Sequence, residues 1–378
     1  MSENLVYIAK IIYYFMFVFA TYLLIVKRKN KADETVENGK KYIIKKRISI
    51  ITIIVLCLIF GYYGVICGPN PPKLDRLNYA FKFENESQIK YVKEGSLGLY
   101  YIELFLHLFT YNSDILFFTI AFIYYFLTFK AYNCYDKIEP LAILLLLFSS
   151  YGLFGFYMLK QSMAIALIAI SFAYFFKNKI IHTIIYVTLA ILFHESAWIV
   201  IPLYIALLGS KAKWHRILLY LVLFTCLIFF NKINALIIKT FSFLPGISNQ
   251  VSEYLNETGE IISQKNYLTV FKGLPYYIIT IIGFIKRKAL INKINHYDKY
   301  LMLSTFCSIA TLLSSYMYWM WRFAAYCYFP VFVFTSLIAT QMSNKKEKSC
   351  FVFLVGGILF LLTLKLLIQY YYKYGGIV

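Results

Sequence analysis

Charged residues are scarce in this chain of 378 residues, because Asp, Glu, Lys and Arg make up only 15% of it while hydrophobic residues make up 61%. Apolar runs recur from one end of the sequence to the other. In lipid, only helices and closed barrels satisfy the backbone polar groups. The runs are continuous and do not alternate with polar residues, which favours helices over a barrel. The sequence therefore predicts an all-α fold, a polytopic integral membrane bundle.

Acidic residues are few as well: 18 Asp and Glu stand against 38 Lys and Arg, a net charge of +20. Such an excess could indicate a nucleic-acid partner, but the basic residues lie in short loops between apolar runs. That placement is typical of topology signals, so we predict a membrane partner and no nucleic acid.

Glycine and proline are also infrequent, while Lys, Ile, Asn and Tyr are abundant, a composition typical of an AT-rich bacterial source.

Cysteine pairs of the C-x-x-C type are absent, and all seven cysteines lie in or beside apolar runs. We predict that they are core residues with no disulfide or metal role. Glu84 and Glu86 could form a weak metal-binding pair, but solvated loop charges are the favoured interpretation, so neither metal nor cofactor is predicted.

No basic segment precedes the first apolar run at Leu5, which predicts a retained anchor and not a cleaved signal peptide.

The apolar runs predict about twelve transmembrane helices in a single transmembrane domain, 1–378, with short or re-entrant helices between them. The segment Leu97–Thr110 carries Glu103 and His107 on one face and is predicted to be interfacial or re-entrant. We predict a cytoplasmic loop at about 27–47 and two larger outer loops at about 68–97 and 231–266. The predicted spans cover about 5–26, 48–67, 114–129, 140–158, 162–176, two halves of 180–208, 216–230, a ninth ending at 285, 298–315, an eleventh ending before 345, and 351–370.

Two of these spans are informative in themselves. The span from Ser162 to Phe176 is rich in Ala and Ser, and small residues let helices approach closely, so we predict a central position.

The pair of short spans within 180–208 places His194, Glu195 and Ser196 at a turn between two short apolar halves. Basic residues flank both ends of this pair, which predicts that the chain enters and leaves on the same side. Ionisable groups inside a membrane segment are costly, so they often mark function.

The charge distribution predicts which side the turn faces. Lys and Arg are in excess in the loops assigned to the cytoplasm, as the positive-inside rule requires. Several polar residues then fall together on the outer side of the membrane. They are Asp75, Glu94, Lys160, His194, Glu195 and Arg322.

Five short motifs occur in an order that resembles the EpsG family of Wzy-type polysaccharide polymerases. The most specific is Leu-Ala-x-Leu-Phe-His-x-Ser-Ala, which runs from Leu189 to Ala197. The others are Asp75-Arg76-Leu77-Asn78-Tyr79, Glu94-Gly95, Leu159-Lys160-Gln161-Ser162-Met163-Ala164 and Trp321-Arg322-Phe323. Family members usually carry arginine where this chain has Lys160, and their aspartate motif directly follows a glycine, whereas Gly68 here precedes Asp75 by seven residues.

The resemblance implies a membrane glycosyltransferase of the bacterial cytoplasmic membrane. Its substrates would be undecaprenyl-pyrophosphate-linked oligosaccharide repeats, joined into capsular or exopolysaccharide at the outer face. Membrane lipid and other polysaccharide-assembly membrane proteins are the further partners implied. No cofactor is implied.

The same resemblance suggests roles for the motif residues. His194 would be the base, because a histidine with an ordinary pKa of about 6.5 accepts a proton at neutral pH, and Glu195 would orient it or act as the base itself. Arg322, Lys160 and Arg76 would bind the diphosphate and stabilise its charge as it leaves. The predicted sugar-binding residues are Asp75, Glu94, Trp319 and Trp321.

Other functions remain open from the sequence. An oligosaccharide ligase would use the same donor with a different acceptor. A flippase or transporter for lipid-linked sugars would place ionisable groups near the midplane and show paired repeats, neither of which is visible here. A membrane acyltransferase built around an intramembrane histidine is a weaker alternative.

Overall fold

The computed structural model describes residues 3–29, 34–37, 40–43, 48–67, 75–85, 96–135, 139–209, 267–314 and 320–369. Apart from one antiparallel hairpin, β1 (Glu34–Glu37) and β2 (Lys40–Ile43), its regular elements are helices. The chain forms two compact units, one made of residues 1–198 and 328–378 and the other of residues 199–327.

The helices of the first half are α1 (Glu3–Lys29), α2 (Ile50–Cys67), α3 (Asp75–Asn85), α4 (Leu97–His107), α5 (Ser113–Cys134), α6 (Pro140–Leu147), α7 (Tyr151–Tyr157), α8 (Leu159–Phe176) and α9 (Ile180–Phe193). A short 3-10 helix, Glu195–Ile199, leads into α10 (Val200–Leu208). The later helices are α11 (Tyr267–Lys272), α12 (Leu274–Leu290), α13 (Tyr297–Leu313), α14 (Met320–Gln341) and α15 (Lys345–Ile368).

Five of these helices are long and apolar enough to cross a membrane, namely the Leu5–Lys27 part of α1 together with α5, α8, α14 and α15. The bent pair α6 and α7 raises the number to six if it is one span. Several apolar helices thus mark a multi-pass membrane protein. The predicted count of about twelve is not confirmed, and the eighth predicted span and the second outer loop fall within 210–266, outside the described residues.

The helix α8 lies in the interior of the first unit, as its small residues predict. Of its span window, 89% is buried. Six small residues on it are buried: Ser162, Ala164, Ala166, Ala169, Ser171 and Ala173. Because small side chains on every face let neighbouring helices approach the backbone, this helix packs against both α5 and α9. The prediction of a central helix is confirmed.

The predicted fourth span is not one straight helix. Its residues form α6 and α7, which meet at an angle of 52°. Hydroxyl groups of other helices donate to backbone carbonyls on both sides of this break: Tyr14 donates to Leu147 O at 2.6 Å and Tyr124 donates to Tyr151 O at 2.6 Å. Tyr125 likewise donates to Gly152 O. A broken helix is tolerated in a membrane when other groups satisfy its backbone in this way.

The predicted ninth span ends at Ile285, before Lys286-Arg287-Lys288, but the helix that contains it does not end there. The helix α12 continues through the basic run to Leu290. Arg287 makes a two-pronged ion pair with Asp298 at the start of α13, with Nε–Oδ1 at 2.8 Å and Nη2–Oδ2 at 2.9 Å. The ion pair compensates one of the three charges and joins the last turns of α12 to the first turn of α13.

Candidate active site

Several motif residues lie at one end of the first unit, and helix directions show why. The amide nitrogen and carbonyl oxygen of Ile48, just before α2, both bond the Asn133 side chain near the end of α5, at 3.0 and 2.9 Å. The two helices are therefore antiparallel. Consistently, Gly61 near the end of α2 contacts the Phe118 ring near the start of α5. The end of α2 and the start of α5 share one end of the unit.

The helices α8 and α9 extend this arrangement. Tyr135, directly after α5, lies with its ring 6.2 Å from that of Phe176 at the end of α8, so α5 and α8 run parallel. Asn178 adopts a left-handed backbone, φ 56°, and turns the chain back into α9. Stacking of Tyr174 on Tyr186, with ring centroids 5.5 Å apart, holds the antiparallel pair together. The start of α8 and the end of α9 consequently reach the same end as the C-terminus of α2.

His194 follows the last turn of α9 in extended backbone, φ −154° and ψ 118°. Its amide still bonds Ala190 O at 2.9 Å, while its carbonyl accepts from Ala197 N at 3.0 Å. The ring is held by Ser196, whose backbone N–H donates to Nδ1 at 3.2 Å and whose Oγ lies 2.7 Å from Nδ1. The half-buried imidazole is thus fixed by the residue two positions later.

Glu195 occupies a different environment. Its side chain is exposed, and within the described part of the chain it makes no hydrogen bond or ion pair. Ser196, and not Glu195, contacts the His194 ring and helps to orient it. The sequence motif contained Ser196, but its role was missed; the signal was the His-x-Ser spacing, because a serine two residues from a polar side chain often forms a local hydrogen bond.

Arg76 lies in the first turn of α3 and is only 6% exposed. Its Nη1 donates to Gly64 O at 2.9 Å and to Phe156 O at 3.1 Å. The guanidinium carbon lies 3.9 Å from the centroid of the Phe117 ring. Gly64 and Phe156 belong to the last turns of α2 and α7, where carbonyls lack helical partners and cations are favoured. These contacts position three helices, while the diphosphate-binding role of Arg76 stays a prediction.

Lys160 lies in the first turn of α8, four residues after Phe156, whose carbonyl is one of the two that Arg76 binds. Its Nζ is 5.8 Å from the centroid of the Tyr79 ring, which comes from α3. The Asp-Arg-Leu-Asn-Tyr motif therefore contacts the end of α7 through Arg76 and the start of α8 through Tyr79. A half-buried ammonium at the first turn of a helix adds positive charge to the positive end of the helix dipole.

The start of helix α4 lies at the same end of the unit. Gly98 lies so close to Phe193 that an added Cβ would be 2.7 Å from the ring Cγ. Ser96 precedes the helix and has a buried Oγ with no hydrogen-bond partner among the described residues. Further along, Glu103 is fully buried. The segment that follows the Glu94-Gly95 motif is thereby held against the residue that precedes His194.

The other predicted site residues are placed less completely. Asp75 is the first residue of α3, while Glu94 and Trp319 lie outside the described residues. Trp321 and Arg322 are half-buried in the first turn of α14 and belong to the second unit. The aromatic run 316–322 predicts a short turn, but α14 starts at Met320, so Trp321 and Arg322 are helical. The roles predicted for all five stay predictions.

Comparison with family models supports the resemblance seen in the motifs. The model of the EpsG family matches residues 53–375. The chain belongs to the EpsG family. It is a family of Wzy-like polysaccharide polymerases. Comparison with curated proteins finds no match, and comparison with solved structures finds none either.

The match to the EpsG family covers every motif described above, from the Asp75 motif to Trp321-Arg322-Phe323. In this chain, the first unit brings together the start of α8, the end of α9 and the start of α4. Lys160, which carries a positive charge, and His194, which carries an imidazole, both lie at this end of the unit.

Proposed function

We propose that this chain polymerises undecaprenyl-pyrophosphate-linked oligosaccharide repeats at the outer face of the bacterial cytoplasmic membrane. The observation that supports this is the shared position of Lys160 and His194 in a chain of the EpsG family. The reaction would transfer the growing glycan from its lipid pyrophosphate to a hydroxyl of the next repeat. Capsular polysaccharide or exopolysaccharide would be the product.

In this mechanism, His194 accepts the proton of the attacking sugar hydroxyl. The new bond forms between that oxygen and the anomeric carbon of the donor, while the bond from this carbon to the pyrophosphate oxygen breaks. Lys160 and Arg322 bind the departing diphosphate, and stabilisation of developing charge by fixed cations is a large term in catalysis. Lysine acts as a point charge, so we assign the two-pronged phosphate contact to Arg322.

Sugar recognition is assigned to the remaining motif residues. Asp75 and Glu94 would accept hydrogen bonds from sugar hydroxyls, and Trp319 and Trp321 would stack against sugar faces. Arg76 holds the start of α3, and hence Asp75, in place through its two carbonyl contacts. Membrane lipid and other polysaccharide-assembly proteins are the proposed partners.

The decisive experiment uses purified protein in liposomes that contain a defined lipid-pyrophosphate oligosaccharide, with no ATP and no nucleotide sugar. We expect a ladder of longer glycans together with release of undecaprenyl pyrophosphate. Transfer only to an unrelated acceptor would identify a ligase. Movement of the lipid-linked sugar across the bilayer without new glycosidic bonds would identify a transporter and contradict the proposal.

Three variants test the assigned roles in the same assay. His194→Ala and Arg322→Ala should lower the polymerisation rate by about 100-fold or more and leave single repeats on their carrier. Lys179→Ala, at the opposite end of α9, is the matched control and should polymerise normally. Long polymer at the normal rate from either site variant would remove that residue from the mechanism.

A further inference from the structure

The contacts of the His194 ring restrict which of its nitrogens can take up a proton. The backbone N–H of Ser196 lies 3.2 Å from Nδ1 and can only donate. Nδ1 must then be the acceptor, and in a neutral imidazole the other nitrogen carries the hydrogen. The tautomer set by this contact therefore has its proton on Nε2 and its lone pair on Nδ1.

The lone pair on Nδ1 is the basic site of the ring, and Ser196 covers it. The Oγ of Ser196 lies 2.7 Å from Nδ1, a typical length for a strong hydrogen bond involving a hydroxyl. A substrate hydroxyl that approached the Nε2 edge would meet a donor and not a base. A proton can reach the basic nitrogen through the Ser196 hydroxyl, which is both a donor and an acceptor.

We propose that Ser196 relays the proton from the acceptor sugar hydroxyl to Nδ1 of His194, an inference that depends on the proposed polymerase function. As the sugar oxygen bonds the anomeric carbon of the donor, its proton passes to Ser196 Oγ. The original Ser196 proton moves to Nδ1, and the pyrophosphate leaves with the electron pair of the broken carbon–oxygen bond. Serine ends unchanged, and His194 ends as an imidazolium that later releases its proton to water.

The same short contact serves both protonation states. Before the reaction, Ser196 Oγ–H donates to Nδ1; afterwards, the protonated Nδ1 donates to Oγ at the same separation. The backbone N–H of Ser196 opposes a hydrogen on Nδ1, because two donors would then face each other. This opposition favours loss of the proton after turnover and returns the ring to its neutral tautomer.

Glu195 is a poorer candidate for the relay. Its side chain is exposed and contacts neither ring nitrogen in the described part of the chain. Ser196 is half-buried beside the ring, and the local backbone fixes its position because Ala197 N bonds His194 O at 3.0 Å. The geometry thus assigns the relay to the serine and not to the neighbouring carboxylate.

The test compares Ser196→Thr with Ser196→Val, which have the same shape and differ in the hydroxyl. We expect Ser196→Thr to keep most of the wild-type kcat and Ser196→Val to lose about 100-fold, with KM for the donor little changed. Thr335→Val removes a buried hydroxyl that bonds its own helix at Val331 O, and it serves as the matched control with normal rate. A Thr-to-Val rate ratio near one, at whatever level both variants work, overturns the relay.

A second measurement needs no turnover. Nitrogen-15 NMR of protein labelled at histidine reports the tautomer of His194, with His194→Ala used to assign its signals. We expect the Nε2–H form in the wild type, and a shift of the Nδ1 signal toward its unbonded position in Ser196→Val. An Nδ1–H form in the wild type contradicts the relay even if polymerisation is observed. If the wild type makes no polymer, the proposed function fails separately.

Discussion

Arg76 shows what a single buried cation does when it reaches two helix ends. Its Nη1 satisfies one carbonyl in the last turn of α2 and another in the last turn of α7. The ring of Phe117 covers the guanidinium at 3.9 Å and shields it from solvent. A side chain that looks like a phosphate ligand in the sequence is therefore part of the framework in which Lys160 and the start of α3 are positioned.

Replacing Arg76 by leucine should lower the stability of the protein. Two buried carbonyls would lose their donor, and each unsatisfied group costs about 1–3 kcal/mol. We expect a clear drop in the thermal unfolding midpoint in detergent, with a smaller drop for Arg76→Lys because an ammonium retains charge and donors. Asn78→Ala, an exposed position on the same helix, is the control. An unchanged midpoint in Arg76→Leu would show that these contacts contribute little.

Gly98 permits the close approach of α4 to the end of α9. In Gly98→Ala, the new Cβ would meet the Phe193 ring at 2.7 Å, so either the helix or the ring must shift beside His194. A shift of about 1 Å near reacting groups can lower a rate by about 100-fold. We expect a reduced kcat in the liposome assay. Gly357→Ala, whose Cβ would meet nothing within 4 Å, should behave as the wild type.

The outcome of Gly98→Ala can be separated from simple misfolding. A second change, Phe193→Leu, removes the ring that clashes and should restore part of the lost rate. Full activity of Gly98→Ala alone would mean that the contact does not position His194. Equal loss in the single and double variants would place the effect elsewhere on α4.

At the scale of the residue, some of the site could be anticipated from the sequence and some could not. Charge counting along the chain places Lys160 and His194 on one side, and within the first unit they do lie at the same end. The inward orientation of Arg76 could not be anticipated, because its acceptors lie 12 and 80 residues away. The contact between His194 and Ser196 is local and was available from their spacing.

The bend between α6 and α7 is the clearest feature at the scale of the element. The run from Pro140 to Leu147 and beyond is continuously apolar, so hydropathy alone predicts one straight helix. The hydroxyl donors at the break come from three separate helices. They are Tyr14 on α1, Tyr124 and Tyr125 on α5, and Thr363 on α15, which donates to Phe148 O at 2.6 Å. Such long-range partners leave no local signal in the sequence.

Removing these hydroxyls should weaken the bend. Tyr124→Phe keeps the buried ring and removes the hydroxyl that donates to Tyr151 O, and polar contacts between membrane helices contribute about 0.5–2 kcal/mol each. We expect lower resistance to unfolding by SDS, with a larger effect in the double variant that also carries Tyr125→Phe. Tyr101→Phe, at a position that is 63% exposed, should be neutral. Equal stability of the double variant and the wild type would contradict this account.

The helix α8 illustrates why an element boundary was missed. The sequence predicts a start at Ser162, because Lys160 and Gln161 interrupt the apolar run. The helix begins at Leu159 instead. The first turn of a helix has free amide groups, so polar residues are tolerated there, and Lys160 can extend its charge away from the apolar region. The added turn brings α8 to 18 residues and makes it a candidate span.

At the scale of the whole molecule, the proposed outward orientation of the site can be measured. Glu195 and Lys179 are both exposed and lie beyond opposite ends of α9. In a background without native cysteines, we expect a membrane-impermeant maleimide to label Glu195→Cys in intact cells. Lys179→Cys should react only after permeabilisation. The reverse pattern would invert the topology and contradict an outer-face reaction.

The architecture of the molecule follows from the sequence more fully than its helix count does. Continuous apolar runs identify the membrane helices, since nothing else accommodates them in lipid. The number of spans is harder to read, because α6 and α7 divide one run and α9 covers only about 21 Å, less than the ~30 Å hydrocarbon core. Runs of intermediate length can belong to spans, halves of spans or interfacial helices, and packing decides among them.

The two carbonyls bound by Arg76 also have a consequence for biosynthesis. Gly64 is made 12 residues before Arg76, but Phe156 follows 80 residues later. At about 5–20 residues per second, this interval lasts roughly 4–16 s. Throughout it, the carbonyl of Phe156 does not yet exist as a partner for the guanidinium. The contact between Arg76 and α7 can form only after α7 has been made, so completion of this end of the protein waits on translation.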